Sequence, residues 1–238
     1  MPLLRSALLL LVSLSAACQA QKLPKLNLTL KQELDQMEAV DQQYRRLFGS
    51  GPGMEAKFDS VAKAAGISPE QVGSYLSQRM VAQDSINIQR VGQIIAQYGY
   101  PGKTLVGEPT NEVTLLVIQH STRIPRYLKL VEREAAKGEV PFYLYARMLD
   151  RHLMYQNKAQ LYGTQGCSYG VPNPATSQRE TVSFIWPIED AARVNERRKQ
   201  AGFDSTVEEN SLRLGIPYKP MTLAEALRIK QASQTPAR

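Results

Sequence analysis

Few residues in this sequence carry reactive side chains: there are two histidines, His120 and His152, and two cysteines, Cys18 and Cys167. His120 is the stronger candidate. It follows Gln119 at the end of an apolar run, and Leu116 and Val117 lie one turn earlier on its face. An imidazole there can act as general acid or base if a neighbour fixes its tautomer and a cleft admits substrate. It can equally bond a free carbonyl at a helix C-terminus, where its charge suits the dipole. Asp150-Arg151 supplies neighbours, with Asp150 orienting His120 and Arg151 holding a ligand. Adjacent helical positions point about 100° apart, so these two cannot face the same way. A solvated Arg147–Asp150 pair at i, i+3 is the competing account of Asp150.

Tyr162-Gly163-Thr164-Gln165 displays an aromatic, a hydroxyl and an amide within one glycine-containing turn. Tyr162, Thr164 and Gln165 therefore join Gln119 and Arg151 as candidate ligand-binding residues, although such clusters also simply make turns. Cys167 lies close enough in sequence to raise a Cys–His nucleophile with His120, but nothing local marks a thiol of low pKa. Asp84 and Asn87 stand at i, i+3 on one helix, with Asp41 on an earlier one. They can line one cleft or cap and pair at the surface, and the surface is the reading they receive.

Several chemistries are excluded. Gly102-Lys103-Thr104 imitates the end of a phosphate loop, but Gln97 stands where the first glycine must be and a helix precedes it. There is no Gly-x-Ser-x-Gly elbow and no His-Glu-x-x-His motif. A zinc site would need both histidines plus carboxylates, and their wide separation is not a ligand spacing. No metal and no cofactor is expected.

The elements that must position these residues are legible from their ends. Thr29-Leu30-Lys31-Gln32, Ser68-Pro69-Glu70-Gln71 and Thr222-Leu223-Ala224-Glu225 fit the capping box. The first predicted helix runs from Leu30 to Phe48 and stops at Gly49-Ser50-Gly51-Pro52-Gly53. A second runs from Pro69 to Tyr98, with Ile86, Val91, Ile94 and Ile95 near helical period. Val113 to His120 is apolar on nearly every side and is read as a central helix. Pro125 to Lys137 and Pro141 to Gln156 each open on a proline suited to the first helical position. Helices from Glu189 to Ala201 and Thr222 to Gln231 complete the set, and Val182 to Pro187 has strand character. The fold class is all-α: a single domain over 21–233 with five to seven helices and a small β-hairpin between Leu161 and Trp186. The tail 234–238 is expected to fray.

Residues 1–20 read as a secretory leader, with Arg5 before the apolar Ala7 to Leu14 and a run of mostly small residues from Ser15 to Ala20. The apolar run is far shorter than the roughly 20 residues of a spanning helix. Cleavage after Ala20 competes with acylation at Cys18, since Leu14-Ser15-Ala16-Ala17-Cys18 approximates a lipobox. Either route leaves Cys167 without an intrachain partner, so the core must stand without disulfides. The expected location is periplasmic, or the outer membrane as a lipoprotein, with membrane contact only through a lipid on Cys18. Net charge is +7 and becomes +6 without Arg5. Only Arg193 to Lys199 is locally dense, which suits a solvated helix face better than nucleic acid, and no nucleic-acid partner is expected.

An ordered set of short motifs runs through the chain: Asp41-Gln42 with Arg45, Asp84 with Asn87, Ile94-Ile95 before Tyr100-Pro101-Gly102, Val106-Gly107, Gln119-His120, Gly138-Glu139, Asp150-Arg151 and Tyr162 to Gln165. With these the sequence resembles a family of bacterial domains of unknown function, over roughly Lys31 to Glu209. The resemblance implies that Gln119-His120, Asp150-Arg151 and Tyr162 to Gln165 belong together, and it brings no activity with it. The chain departs from the family in having Ser121-Thr122 where an acid tends to follow the Gln-His pair.

Three functional readings follow. The first is an extracytoplasmic domain binding a small polar ligand or an envelope protein, with Arg151 and Gln165 orienting the ligand and Tyr162 giving it an apolar face. The second is a metal-independent hydrolase or transferase with His120 as general base, Asp150 as its orienter and Arg151 or Gln165 stabilising negative charge. The third is a structural envelope protein whose polar groups bond across helices.

Overall fold

The helix from Val113 to Gln119 is buried at every position except Leu116, and the rest of the architecture follows from the need to cover it. A segment apolar on all sides cannot lie at a surface. The computed structural model describes residues 25–48, 53–173, 176 and 178–234. The leader with Cys18, the stop at 49–52 and the tail beyond Gln234 lie outside the described residues.

Among the described residues the chain forms α1 (Leu28–Arg45), α2 (Met54–Ala65), α3 (Val72–Tyr98), α4 (Lys103–Val106), α5 (Val113–Gln119), α6 (Ile124–Ala136) and α7 (Phe142–Tyr155). A hairpin of β1 (Gly166–Pro172) and β2 (Arg179–Ile185) follows, then α8 (Val194–Gln200), α9 (Val207–Arg213) and α10 (Leu223–Ser233). The two strands pair antiparallel, from Gly166 opposite Ile185 to Pro172 opposite Arg179. No described helix is long and apolar enough to cross a membrane.

Helix α5 packs against α1, α3, α6 and α7. Its Val113, Leu115, Val117 and Ile118 meet Leu30, Leu34 and Met37 of α1 and Ile88, Val91 and Ile94 of α3 in the main core. Burying such side chains stabilises by roughly 1.5–3 kcal/mol each, relative to leaving them exposed. A second cluster of Ala62, Val72 and Leu76 ties α2 to the start of α3. A third, of Phe184, Trp186 and Ala226, seats α10 against the hairpin.

The all-α class with a hairpin is what the structure shows, built from ten helices rather than five to seven. The additional helices are short ones. Helix α2 lies between Gly53 and Gly66, both left-handed, and its Met54, Phe58, Val61, Ala62 and Ala65 fall at helical spacing, a signal that the reading of the sequence passed over. Helix α9 opens on a Thr206–Glu209 capping box. Two starts also differ. Helix α1 begins at Leu28 because the Asn27 side chain accepts from the Leu30 amide at 3.0 Å, so Thr29 lies inside the first turn. Helix α3 begins at Val72, after a 3₁₀ turn over Pro69–Gln71. The Thr222–Glu225 box is present as read.

Candidate functional site

His120 caps the C-terminus of α5 and stands against the C-terminal end of α1 and the middle of α3. Its Nδ1 lies 3.2 Å from Asp41 Oδ2 and 3.2 Å from Arg45 Nε. Arg45 in turn reaches Asp84 Oδ1 at 2.5 Å and lies 3.6 Å from Asp41. Gln42 donates to Asp41 at 2.7 Å, and Asn87 approaches the other oxygen at 3.4 Å. Asp41 and Asn87 are buried, which corrects the surface reading of Asp41, Asp84 and Asn87. The reason lies in their spacing. Asp41 continues the stripe Leu30, Leu34, Met37 on α1, and Asn87 precedes Val91 and Ile94 on the buried face of α3.

The Asp41 carboxylate, only 2% exposed, has to be surrounded by donors, because a buried charge without them is costly. This bears on the tautomer of His120, against which the Arg45 Nε–H, aimed at the same nitrogen at 3.2 Å, has to be set. With the proton on Nδ1 the ring donates to Asp41. With the proton on Nε2, a bare nitrogen lone pair would face the carboxylate at the same 3.2 Å. The first arrangement is favoured, and it leaves Nε2 as an acceptor. Nε2 has no hydrogen-bond partner among the described residues. Burial works against the charged form of Asp41, but His120, Arg45 and Gln42 outweigh it and hold the carboxyl below its usual range. At Asp84 burial wins, helped by the Asp41 charge, and the carboxyl is pushed up despite Arg45.

Asp41, Asp84 and His120 each present a metal-ligating atom, all within 4.8 Å of one another. The Arg45 guanidinium sits among them, so the positive charge these carboxylates face comes from the chain itself. A cation here would have to displace Arg45. His152 is not part of the set.

His120 lines a cavity of about 570 Å³, together with Arg45, Gln119, Ser121, Thr122, Arg151, His152 and apolar walls from Ile124, Pro125 and Tyr155. Both histidines of the chain therefore open on one cavity. The wall carries two guanidiniums and no carboxylate. A second lobe of about 240 Å³ meets the first at His120, Ser121 and Thr122 and extends toward Asp84 and Ser85. Arg151 is fixed by two bonds, to the Gln119 carbonyl at 3.1 Å and to Gln165 Oε1 at 3.3 Å. His152 bonds Gln156 at 3.0 Å, and burial with the charge of Lys158 lowers its pKa.

Asp150 is elsewhere. It is fully buried and accepts from the Leu161, Tyr162 and Thr164 amides and from the Thr164 hydroxyl, at 2.8–3.2 Å. It forms no pair with Arg147 and does not touch His120. Burial pushes its carboxyl up, with the loop donors pulling the other way. The carboxylate in position to orient His120 is Asp41. Tyr162 turns its carbonyl to Arg198 and its ring toward Phe203, away from the His120 cavity. Thr164 faces a different cavity. Gln165 stays connected through Arg151, while its amide reaches Thr164 Oγ1 at 2.9 Å. Gly163 at φ +68° allows the turn, and a Cβ there would come within 2.6 Å of Val207 Cγ2. Cys167 lies on β1, outside the His120 cavity, with its thiol pushed up to about 11 by burial.

The predicted site thus divides in two. Gln119, His120 and Arg151 share a cavity wall, whereas Asp150, Tyr162 and Thr164 build the loop behind it, with Gln165 bridging the two. Fold and site together define a mostly helical domain with one large, cationic, partly apolar cavity around a carboxylate–histidine pair. Residues 28–215 match the model described as Family of unknown function (DUF6624), and the chain belongs to that family. No match was found among curated proteins or among solved structures.

Proposed function

We propose that this chain is an acid–base catalyst acting on a small anionic molecule held in the His120 cavity, a hydrolase or transferase by reaction class. One observation carries the reading: His120 Nδ1 is held 3.2 Å from the buried Asp41 carboxylate, Nε2 has no hydrogen-bond partner among the described residues, and the residue lines a cavity of about 570 Å³. That volume lies within the roughly 300–1,000 Å³ of small-molecule sites. In this scheme Nε2 takes a proton from water or a substrate hydroxyl, Asp41 fixes the tautomer and stabilises the imidazolium, and Arg151 faces the negative charge that develops. Ser121 and Thr122 add neutral hydroxyls to a wall whose lining holds no carboxylate, which favours an anionic ligand. Export through the leader at 1–20, to the periplasm or as a lipoprotein on Cys18, belongs to the same proposal and rests on the composition of that segment.

A second reading has its own support. Arg45 Nε also points at Nδ1, at 3.2 Å. If that bond sets the tautomer, Nε2 carries the proton and His120 becomes a donor for a bound ligand rather than a base.

The test is a panel of small anionic esters, amides and lactones incubated with the protein and followed by proton NMR. We expect turnover of at least one member, abolished in His120→Gln with the fold intact, and slowed by roughly 10²–10⁴-fold in Asp41→Asn. Equal rates for wild type and His120→Gln across the panel would sink the catalytic reading. Binding that weakens in Arg151→Ala without any turnover would favour the second.

A further inference from the structure

On the other side of the Tyr162–Gln165 loop lies a smaller cavity of about 130 Å³, lined by Tyr143, Arg147, Thr164, Arg198, Phe203, Asp204, Ser205, Asn210 and Arg213. Three guanidiniums meet there, from α7, α8 and α9. None of the three forms an ion pair with a described residue. Arg198 is 1% exposed, yet its bonds go only to neutral oxygens: the Ser205 carbonyl at 2.8 Å, the Tyr162 carbonyl at 2.9 Å and the Ser205 hydroxyl at 3.0 Å. Its Cζ lies over the Phe203 ring, 4.4 Å from the centre. Arg213 donates to Asn210 Oδ1 at 2.8 Å, and the Arg147 guanidinium has no hydrogen-bond partner among the described residues.

An arginine buried without a carboxylate is unusual, because charges withdrawn from water need a counter-charge. Here Arg213 stands close enough to act against the charges on both Arg147 and Arg198, and Arg151 adds to the effect on Arg147. Asp204 is the one acid on the wall, while Asp150 and Glu208 act on Arg198 from farther off. The wall therefore keeps a surplus of positive charge, with one guanidinium locked in place and another unoccupied. The Tyr143 hydroxyl, which makes no bond to a described residue, adds a neutral donor. At about 130 Å³ the cavity is well below the size of a drug-like ligand site. It suits a small oxyanion, which planar guanidinium forks bind in pairs of parallel bonds.

We infer that the Arg147–Arg198–Arg213 cavity is a phosphate-binding site, separate from the His120 cavity and taking either the free ion or the phosphate of a monoester. Arg198 forms its fixed floor, Arg147 and Arg213 close on the anion, and Tyr143 donates to a remaining oxygen.

The experiment is isothermal titration of the wild-type protein with inorganic phosphate and with glycerol phosphate, at constant ionic strength against a chloride background. Arg147→Gln, Arg213→Gln and His120→Gln are titrated in parallel. The Arg147 guanidinium makes no hydrogen bond or ion pair with a described residue, so its variant is expected to fold, and circular dichroism checks this. We expect saturable binding of one equivalent, weakened at least tenfold in Arg147→Gln and Arg213→Gln and unchanged in His120→Gln. Equal affinity for the two probes identifies the free ion as the ligand, and tighter binding of glycerol phosphate identifies a monoester. No binding by wild type overturns the inference, as does binding that Arg147→Gln leaves intact. Loss in His120→Gln alone would place the anion in the larger cavity and overturn it equally.

Discussion

At the scale of single residues, the Asp41–His120 contact does two jobs. It favours a proton on Nδ1, and in that form supplies a buried carboxylate with one of the donors it needs. Asp41→Asn is therefore expected to cost about 1–3 kcal/mol at neutral pH, since an amide cannot accept at both positions. The pH dependence has a definite sign. The folded carboxyl sits below its ordinary 3.8, so its contribution is complete above that value and is lost as the pH falls through the lowered one. Denaturant unfolding across acid pH should show the variant's deficit shrinking below about pH 3.8, and a deficit of constant size would contradict the account. His120 was legible in the sequence because it ends an apolar run. Its partner was not. Asp41 reads as an ordinary helix acid until its place after Leu30, Leu34 and Met37 is noticed, and a charge on a core stripe is then the signal. Arg198, one turn after the buried Val194, repeats the pattern.

At the scale of elements, α7 acts as a distributor. Asp150 and Arg151 point about 100° apart, while Arg147 lies one turn before Arg151 on nearly the same face and is set off along the axis, so the three address the Tyr162–Gln165 loop, the His120 cavity and the small cavity. Asp150 does for that loop what a capping side chain does for a helix start. Asp150→Ala would leave three loop amides and a hydroxyl without their acceptor in a sealed site. We expect a loss of roughly 3–5 kcal/mol, the scale of breaking a buried charged network. Urea unfolding measures it, with Asp150→Asn falling between, and a loss under about 1 kcal/mol would show that the loop holds itself. The loop and α7 were both visible in the sequence. What joins Asp150 to the Leu161–Thr164 backbone was not, because backbone amides carry no sequence signature.

At the scale of the whole molecule, three apolar clusters hold the elements together, and the hairpin depends on α10. Trp186, the single tryptophan, is fully buried there, and its indole donates to the Lys158 carbonyl at 2.7 Å. Ala226→Asp would put a charge into that contact, costing about 3 kcal/mol or more. Tryptophan emission should move to longer wavelength while most of the helical circular dichroism persists. Unchanged emission would mean that α10 does not seal the cluster. Of the helices not read from the sequence, two did carry a signal, the apolar spacing of Met54, Phe58, Val61 and Ala62 in α2 and the Thr206–Glu209 capping box of α9, whereas α4, a single turn over Lys103–Val106, is too short to show a period. The two histidines carry one last consequence. Both line the His120 cavity, so in untagged protein every imidazole resonance comes from that wall. A ligand can be sought there by ring proton NMR without isotope-assigned backbone spectra: whatever moves either pair of signals has entered the cavity or disturbed its rim.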